Sequence, residues 1–173
     1  MTRNKILIFG AGRMGLSHAA MIGLIDAHSK IYFYEPSFKN RMFIRLLSGK
    51  NVSSMKSTGN IDYYSHAIIA SPPNYHNSNY QLLSDMNFQG KVFIEKPISI
   101  DPEEASLKFS SGYVLQHNYF IKKILNEVKN DLISKIDIQL RTNQDFAANS
   151  SSWRMNKTSP ELSFLNEFGS HCI

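Results

Sequence analysis

Three glycines near the amino terminus have the spacing of a phosphate-binding turn. Gly10, Gly12 and Gly15 follow the apolar run 6–9 in the pattern G-x-G-x-x-G and precede a segment typical of a helix. Gly10 permits a sharp turn, Gly12 lets a pyrophosphate approach the backbone, and Gly15 lets the helix lie close to the strand. N–H groups and the helix dipole favour an anion at such a turn. The pattern predicts dinucleotide binding; the alternative is an incidental glycine-rich turn.

A carboxylate strengthens the first interpretation. Glu35 ends the next apolar run, 31–34. It follows the third glycine by the roughly 20 residues at which a second-strand carboxylate accepts hydrogen bonds from a ribose. We therefore expect Glu35 to hold the adenosine ribose of a dinucleotide.

Two further turns follow apolar runs in the same way. Residues 71–76, SPPNYH, come after the run 67–70, and residues 95–97, EKP, come after the run 91–94. The two prolines of the first turn favour an extended backbone there over a helix. In an open parallel sheet, ligands bind at the carboxyl ends of the strands. Both turns are therefore candidates for a ligand site.

Strand-like and helix-like segments alternate around these turns, which predicts an α/β fold with a doubly wound parallel sheet. The expected strands are 5–9, 31–35, a short one within 51–60, 67–70, 91–94 and 113–116, and the expected helices are 13–24, 38–47, 77–86 and a short one from Asp101. On the second helix we expect Phe43, Leu46 and Leu47 to face inward. His18 on the first helix is expected to be a surface or packing histidine.

The pattern changes after residue 117. A helix is expected over 120–129, and Ile136, Ile138 and Leu140 alternate with polar residues within 134–142. Alternation of this kind is typical of a strand with one wet face, as in an antiparallel sheet. We therefore predict a dinucleotide-binding domain over 1–117 and, over 118–173, the incomplete start of an α+β second domain for substrate and oligomer contacts.

Composition limits the class of protein. The chain has 173 residues, 42% hydrophobic and 19% charged, with a net charge of +5. The charge suits a small anionic ligand, and scattered Lys and Arg residues argue against nucleic acid. A single cysteine, Cys172, excludes an internal disulfide and a multi-cysteine metal site, and no metal is expected. The early first strand and the lack of a run of about 20 apolar residues predict a cytoplasmic protein without a membrane partner.

Taken together, these motifs resemble the family of glucose–fructose oxidoreductase, inositol 2-dehydrogenase and related sugar dehydrogenases (Gfo/Idh/MocA). The matching pieces are GAGRMG at 10–15, Glu35, ASPPNYH at 70–76, IEKP at 94–97 and EFGSH at 167–171. The resemblance implies a Rossmann-type sheet and an NAD(P)-dependent oxidoreductase. Family chains continue past this point into an antiparallel domain, so we expect only its first elements here.

The resemblance also implies residue roles in cofactor binding. Gly10, Gly12, Arg13, Met14 and Gly15 would hold the pyrophosphate, Glu35 the adenosine ribose, Ser71, Pro72, Asn74 and His76 the nicotinamide-side ribose, and Glu95 and Lys96 the nicotinamide. The charge of Glu35 would repel a 2′-phosphate, so NAD is expected rather than NADP. For His76, a helix-capping role is the alternative.

Three residues are expected to be catalytic. Oxidation of an alcohol requires a base within reach of the hydroxyl, and His171 can be that base near neutral pH. Lys96 can stabilise the developing alkoxide, and Glu167, four residues before His171 on one helix face, can orient the imidazole. The family usually has Asp where Glu167 stands. The alternatives are a surface lysine at 96 and a solvated helix pair at 167 and 171.

The sequence thus predicts an NAD-dependent oxidoreductase that transfers a hydride at a secondary alcohol or ketone of a sugar, nucleotide sugar or cyclitol. A homo-oligomer is expected if the second domain is complete. The alternative is a non-catalytic dinucleotide-binding or regulatory protein on the same fold.

Overall fold

The computed structural model describes residues 4–47, 49–98, 100, 105–113 and 118–127. The chain divides into two compact units, Met1–Gly112 and Tyr113–Ile173. The domain boundary predicted after residue 117 lies a few residues beyond this division. The strand expected over 134–142, and the candidate catalytic residues Glu167 and His171, lie outside the described residues.

The first unit is a parallel sheet with helices between its strands. The strands are β1 (Lys5–Phe9), β2 (Lys30–Tyr34), β3 (Val52–Met55), β4 (His66–Ile69), β5 (Lys91–Ile94) and β6 (Phe109–Ser111), and the helices are α1 (Arg13–Ile25), α2 (Phe38–Leu47) and α3 (His76–Asp85). Their order in the sheet is β3-β2-β1-β4-β5-β6, and every neighbouring pair is parallel. The predicted α/β class and doubly wound parallel sheet are confirmed. The order reverses between β1 and β4, where such sheets open a ligand crevice.

Strand β1 is apolar on both faces because helices cover both. Leu7 and Phe9 belong to a core that includes α3, whereas Ile6 and Ile8 belong to a second core with α1 and α2. All but Ile6 are completely buried, and Ile6 is nearly so. Burial on both faces explains why this strand reads as a continuous apolar run.

In the second unit, the described helix α4 covers Tyr119–Glu127, close to the helix expected over 120–129. Within the described ranges, no helix has both the length and the apolar character needed to cross a bilayer.

The inner face of α2 differs from the expected one. Ile44 is buried, whereas Phe43 and Leu46 are 51% and 78% exposed. Arg41, one turn before Ile44, is half-buried, and its guanidinium donates to the carbonyls of Glu35 (2.8 Å) and Pro36 (2.7 Å). The helix therefore turns Arg41 and Ile44 inward. The apolar pattern predicts a different inner face because it does not account for an arginine whose guanidinium is hydrogen-bonded to backbone carbonyls. The side chain of Leu47, the third residue expected to face inward, is not described.

The sixth strand also begins earlier than expected. It covers Phe109–Ser111 and pairs with β5, Phe109 lying opposite Val92. Residues 112 and 113 are not in a strand, and 114–117 are outside the described residues. Phe109 also makes an edge contact with Tyr80 on α3, the ring centroids lying 5.9 Å apart. The short sequence FSS does not announce this long-range contact. The helix start at 101–104 is likewise not described, and residues 105–108 are not helical.

Three tyrosines, Tyr32, Tyr63 and Tyr64, form a cluster of edge-to-face ring contacts, and Tyr63 and Tyr64 lie shortly before the first residue of β4. The hydroxyls of Tyr32 and Tyr63 lie 3.0 Å apart, and the Lys5 ammonium lies 3.3 Å from the centroid of the Tyr63 ring. Burial and this hydrogen bond raise the pKa of Tyr32 to about 12. The pKa of Tyr63 is lowered by its hydrogen bonds with Tyr32 and Lys5.

The contact between α1 and β1 gives a test of stability. A Cβ at Gly15 would collide with the carbonyl oxygen of Gly10, whereas a Cβ at Gly23, on the same helix, would meet no atom within 4 Å. We expect Gly15→Ala to lower the free energy of unfolding by about 1–3 kcal/mol through overpacking. Gly23→Ala is the matched control and should raise it by about 0.5–1 kcal/mol because it removes backbone freedom from the unfolded chain. Urea unfolding measures both, and equal effects of the two substitutions would contradict this packing.

Candidate functional site

The glycine turn joins the carboxyl ends of β1 and β4. Gly10 has φ +92°, a left-handed conformation that favours glycine. A Cβ at Gly10 would lie 2.8 Å from the Cα of Ser71, so the turn after β1 presses directly against the turn after β4. Glycine is therefore required at position 10 by both conformation and space.

The start of α1 is open to a ligand. Gly12 is its N-cap, no side chain caps this end, and the first turn carries no acidic residue. A Cβ at Gly12 would meet no atom within 4 Å, and Gly12, Arg13 and Met14 are exposed. An uncapped helix start beside an open glycine suits a phosphate, because N–H groups and the helix dipole both favour negative charge there. These residues fit the pyrophosphate of a dinucleotide.

Glu35 links the glycine turn to the end of β2. Its carboxylate is buried, 6% exposed. Oε2 accepts a hydrogen bond from the Ala11 N–H (2.9 Å), and Oε1 accepts one from the Ser37 N–H (2.9 Å). A carboxylate has about four acceptor positions, so each oxygen retains capacity for a ribose hydroxyl. The residue thus shapes the crevice and fits the predicted ribose contact.

Arg41 supports this corner and was not a candidate in the sequence. Its hydrogen bonds to the carbonyls of Glu35 and Pro36 hold the turn between β2 and α2. The sequence gives only a weak indication of this supporting role, namely that a basic residue stands six positions after the candidate carboxylate Glu35.

The turn after β4 is partly helical. Pro72 is the N-cap of a short 3₁₀ turn, Pro73–Tyr75, and α3 begins at His76. Proline fits these first positions because their N–H groups have no helical acceptor, so the expectation of an extended turn was wrong for Pro73. Pro72 and Asn74 are exposed, and the half-buried Ser71 accepts a hydrogen bond from the Asn79 amide at Oγ (2.8 Å).

His76 joins two turns of the candidate site. It is 1% exposed. Its Nε2 lies 2.7 Å from the Ser71 carbonyl oxygen and its Nδ1 lies 3.2 Å from the Pro97 carbonyl oxygen. Because both partners are acceptors, the ring donates to both only when both nitrogens carry protons. Its polar atoms are therefore engaged by the backbone of the turns after β4 and β5. The ribose contact predicted for His76 stays a prediction.

Glu95 is paired with His18, for which the sequence predicts only a surface or packing role. Its Oε1 lies 2.7 Å from Nε2 of His18 on α1, and its N–H donates to the Ile69 carbonyl (2.9 Å). The His18 ring also makes an edge contact with Phe93, the centroids lying 5.3 Å apart. The lack of a side chain at Gly112 leaves room for Oε2, since a Cβ there would lie 3.1 Å from it.

Lys96 follows Glu95 and is half-buried. The Lys96–Pro97 peptide bond is cis. The structure thus brings the described candidates to the carboxyl ends of neighbouring strands β2, β1, β4 and β5. Within the described part of the chain, no cluster of three or more His, Cys, Asp or Glu residues could hold a metal ion.

A family model described as "Oxidoreductase family, NAD-binding Rossmann fold" (GFO_IDH_MocA) matches residues 4–108. The chain belongs to this family. NAD is the cofactor of the family, and the open glycine turn and Glu35 supply a fitting site for it. The resemblance noted in the sequence is therefore confirmed.

Solved structures of the Gfo/Idh/MocA type share the fold. A candidate NADPH-dependent oxidoreductase from Desulfitobacterium hafniense is 15% identical, with a TM-score of 0.66, over 99% of this chain and 53% of its own. The Lactobacillus casei scyllo-inositol dehydrogenase, with bound NAD(H) and scyllo-inositol, is 24% identical with a TM-score of 0.55. The match covers 75% of this chain and 43% of that one. The WlbA dehydrogenase of Bordetella pertussis, in complex with NADH and UDP-GlcNAcA, is 12% identical with a TM-score of 0.59. The match covers 75% of this chain and 42% of that one.

The chain spans about half, or less, of the length of these structures. A comparison with curated proteins finds no match.

The Glu35 geometry predicts cofactor preference. We expect the protein to bind NADH at least about tenfold more tightly than NADPH, because a 2′-phosphate would face a buried carboxylate. Glu35→Gln should weaken NADH binding and narrow that preference, since the amide retains one acceptor and removes the charge. Fluorescence titration with both cofactors measures the ratio.

Asp85→Asn is the control, because it removes one negative charge from an exposed position on α3 outside the crevice. It should leave the ratio of the NADH and NADPH dissociation constants unchanged. Tighter binding of NADPH than NADH by the natural sequence would contradict the role of Glu35.

Proposed function

We propose that the protein is an NAD-dependent oxidoreductase that transfers a hydride between the nicotinamide and a secondary alcohol or ketone of a sugar, nucleotide sugar or cyclitol. The observation that carries the proposal is the hydrogen bond from the Ala11 N–H to Glu35. This bond holds the Glu35 carboxylate beside an uncapped helix start. A carboxylate that could bind a ribose next to a turn that could bind phosphates suits a dinucleotide and not a simple phosphate.

The cofactor would lie along one edge of the sheet. Residues of the glycine turn, Gly10, Gly12, Arg13, Met14 and Gly15, hold the pyrophosphate in this proposal, and Glu35 holds the adenosine ribose. The turn after β4, with Ser71, Pro72, Asn74 and His76, serves the nicotinamide-side ribose. Glu95 and Lys96 follow the next strand and serve the nicotinamide end. The sheet order supports this sequence of contacts, because β2, β1, β4 and β5 are consecutive neighbours.

The proposed reaction assigns one task to each group. NAD, when bound, supplies the hydride acceptor. His171 takes the hydroxyl proton of the alcohol as general base, and Glu167 orients its imidazole. Lys96 donates a hydrogen bond to the same oxygen and stabilises the negative charge that develops there. In the reverse direction, His171 returns the proton to the alkoxide formed from a ketone.

The substrate class rests on relatives. Two solved structures with this fold contain scyllo-inositol and UDP-GlcNAcA, respectively. A third is a UDP-N-acetylglucosamine 3-dehydrogenase from Acidithiobacillus ferrooxidans, with a TM-score of 0.51. All three names point to ring polyols or their nucleotide-linked forms. We extend that class to this chain. If the second domain is completed, we also expect a homo-oligomer.

Lys96→Ala tests the catalytic step. We expect turnover to fall by about 100-fold or more because the alkoxide loses its charged donor. The dissociation constant for NADH should change by less than about threefold, within roughly 0.6 kcal/mol, because the glycine turn, Glu35 and the Glu95 contact proposed for the nicotinamide are retained. A panel of sugars, cyclitols and nucleotide sugars, followed at the nicotinamide absorbance, measures turnover, and fluorescence titration measures binding.

Lys91→Ala is the matched control. Lys91 is exposed at the opposite end of the same strand, and its removal should leave turnover intact. Unchanged turnover in Lys96→Ala would contradict the assignment. A protein that binds NADH and oxidises no member of the panel would instead favour the non-catalytic dinucleotide-binding alternative.

A further inference from the structure

One side chain of α1 reaches across the sheet to the turn that carries Lys96. His18 lies five residues after Arg13, the first residue of α1, which is about 7.5 Å along a helix axis. Its Nε2 contacts Oε1 of Glu95 at 2.7 Å. Strand β5 is separated from β1 by β4, so this contact connects elements that are not neighbours in the sheet.

Glu95 is held on three sides. Its N–H donates to the Ile69 carbonyl, its Oε1 contacts His18, and its Oε2 lies in the space that Gly112 leaves. The side chains of His18 and Glu95 are 22% and 12% exposed. The edge contact with Phe93 fixes the plane of the imidazole. These contacts restrain the Glu95 side chain, and Glu95 is the residue immediately before Lys96.

The other side of Lys96 is held from the opposite face of the sheet. His76 at the start of α3 contacts the carbonyl of Pro97. Since α1 and α3 cover opposite faces, the residues before and after Lys96 are each tied to a different helix. Of these two helices, α1 is the one whose amino end suits the pyrophosphate.

A purely stabilising role accounts poorly for the His18–Glu95 pair. Replacing a buried polar pair by well-packed apolar residues is often neutral or stabilising. Phe93 already supplies an apolar partner at this place, so a leucine at position 18 would satisfy the helix packing. The polar pair is better explained by the geometry that it imposes on the turn.

We propose that His18 is a positioning residue that acts through Glu95. The pair sets the distance between the glycine turn at the start of α1, where the pyrophosphate would bind, and the turn that carries Lys96, where the nicotinamide would bind. This inference rests on the proposed function, since it assumes a dinucleotide that lies along this edge. Loss of the pair therefore affects the nicotinamide half of the ligand and spares the adenosine half.

Two ligands separate the halves. NADH carries both, whereas ADP-ribose has the adenosine, the pyrophosphate and one further ribose without a nicotinamide. For the full chain carrying His18→Leu, we expect the dissociation constant for NADH to rise by about tenfold or more, the size expected when a hydrogen bond to a charged group is lost. The constant for ADP-ribose should stay within about twofold, because the glycine turn and Glu35 are untouched. Isothermal titration calorimetry measures both.

Two further variants complete the test. His18→Gln retains an N–H donor for Glu95 and should recover most of the NADH affinity. His28→Leu removes an exposed histidine from the loop after α1 and should change neither constant.

The outcomes are distinguishable. Equal weakening of NADH and ADP-ribose in His18→Leu, together with a lower unfolding midpoint, would mean that His18 only stabilises α1 and would overturn the inference. Unchanged NADH affinity, or a natural sequence in which NADH binds no more tightly than ADP-ribose, would overturn it as well. A natural sequence that binds neither ligand would overturn both this inference and the proposed function. Binding with the expected selectivity but without turnover of any polyol would support this inference and count against the proposed reaction alone.

Discussion

The hydrogen bond between the Ala11 N–H and the Glu35 carboxylate is the constraint on which the candidate site depends. It ties the turn after β1 to the end of β2, and the second oxygen of Glu35 ties the same carboxylate to Ser37. A buried carboxylate without such donors would be costly. The bond therefore explains both how Glu35 is tolerated in the interior and why the glycine turn stays open beside it.

Close backbone approach extends this constraint to β4. Gly10 touches the backbone of Ser71, and Gly15 lies against the carbonyl of Gly10. His76 then connects the Ser71 turn with Pro97. The turns at the ends of four adjacent strands thus form one connected rim, held by backbone contacts, by the Glu35 carboxylate and by the side chains of His18 and His76.

The elements that could be predicted from sequence are those with strong local signals. The apolar runs of β1 and β5, the sharp turn at Gly10 and the position of Glu35 at the end of β2 agree with the sequence, because burial on both faces and glycine spacing leave direct marks in the chain. The binding roles of these residues stay predictions. The inner face of α2 and the start of β6 differ from the expected ones. Arg41 faces inward because two carbonyls receive it, and Phe109 makes a long-range contact with Tyr80. The His18–Glu95 contact was missed for the same reason: 77 residues separate the partners in sequence, and no local pattern announces such a contact.

The tyrosine cluster has a consequence in alkaline solution. Because every strand pair is parallel, Lys5 and Tyr63 lie at the rim opposite the phosphate turn. Burial raises the pKa of Tyr32, whereas the hydrogen bond with Tyr32 lowers the pKa of Tyr63. Unfolding would end the contact between these two phenols and bring both pKa values toward that of an ordinary tyrosine, so the ionisation of Tyr32 and Tyr63 in alkaline solution is linked to the folding of this end of the sheet.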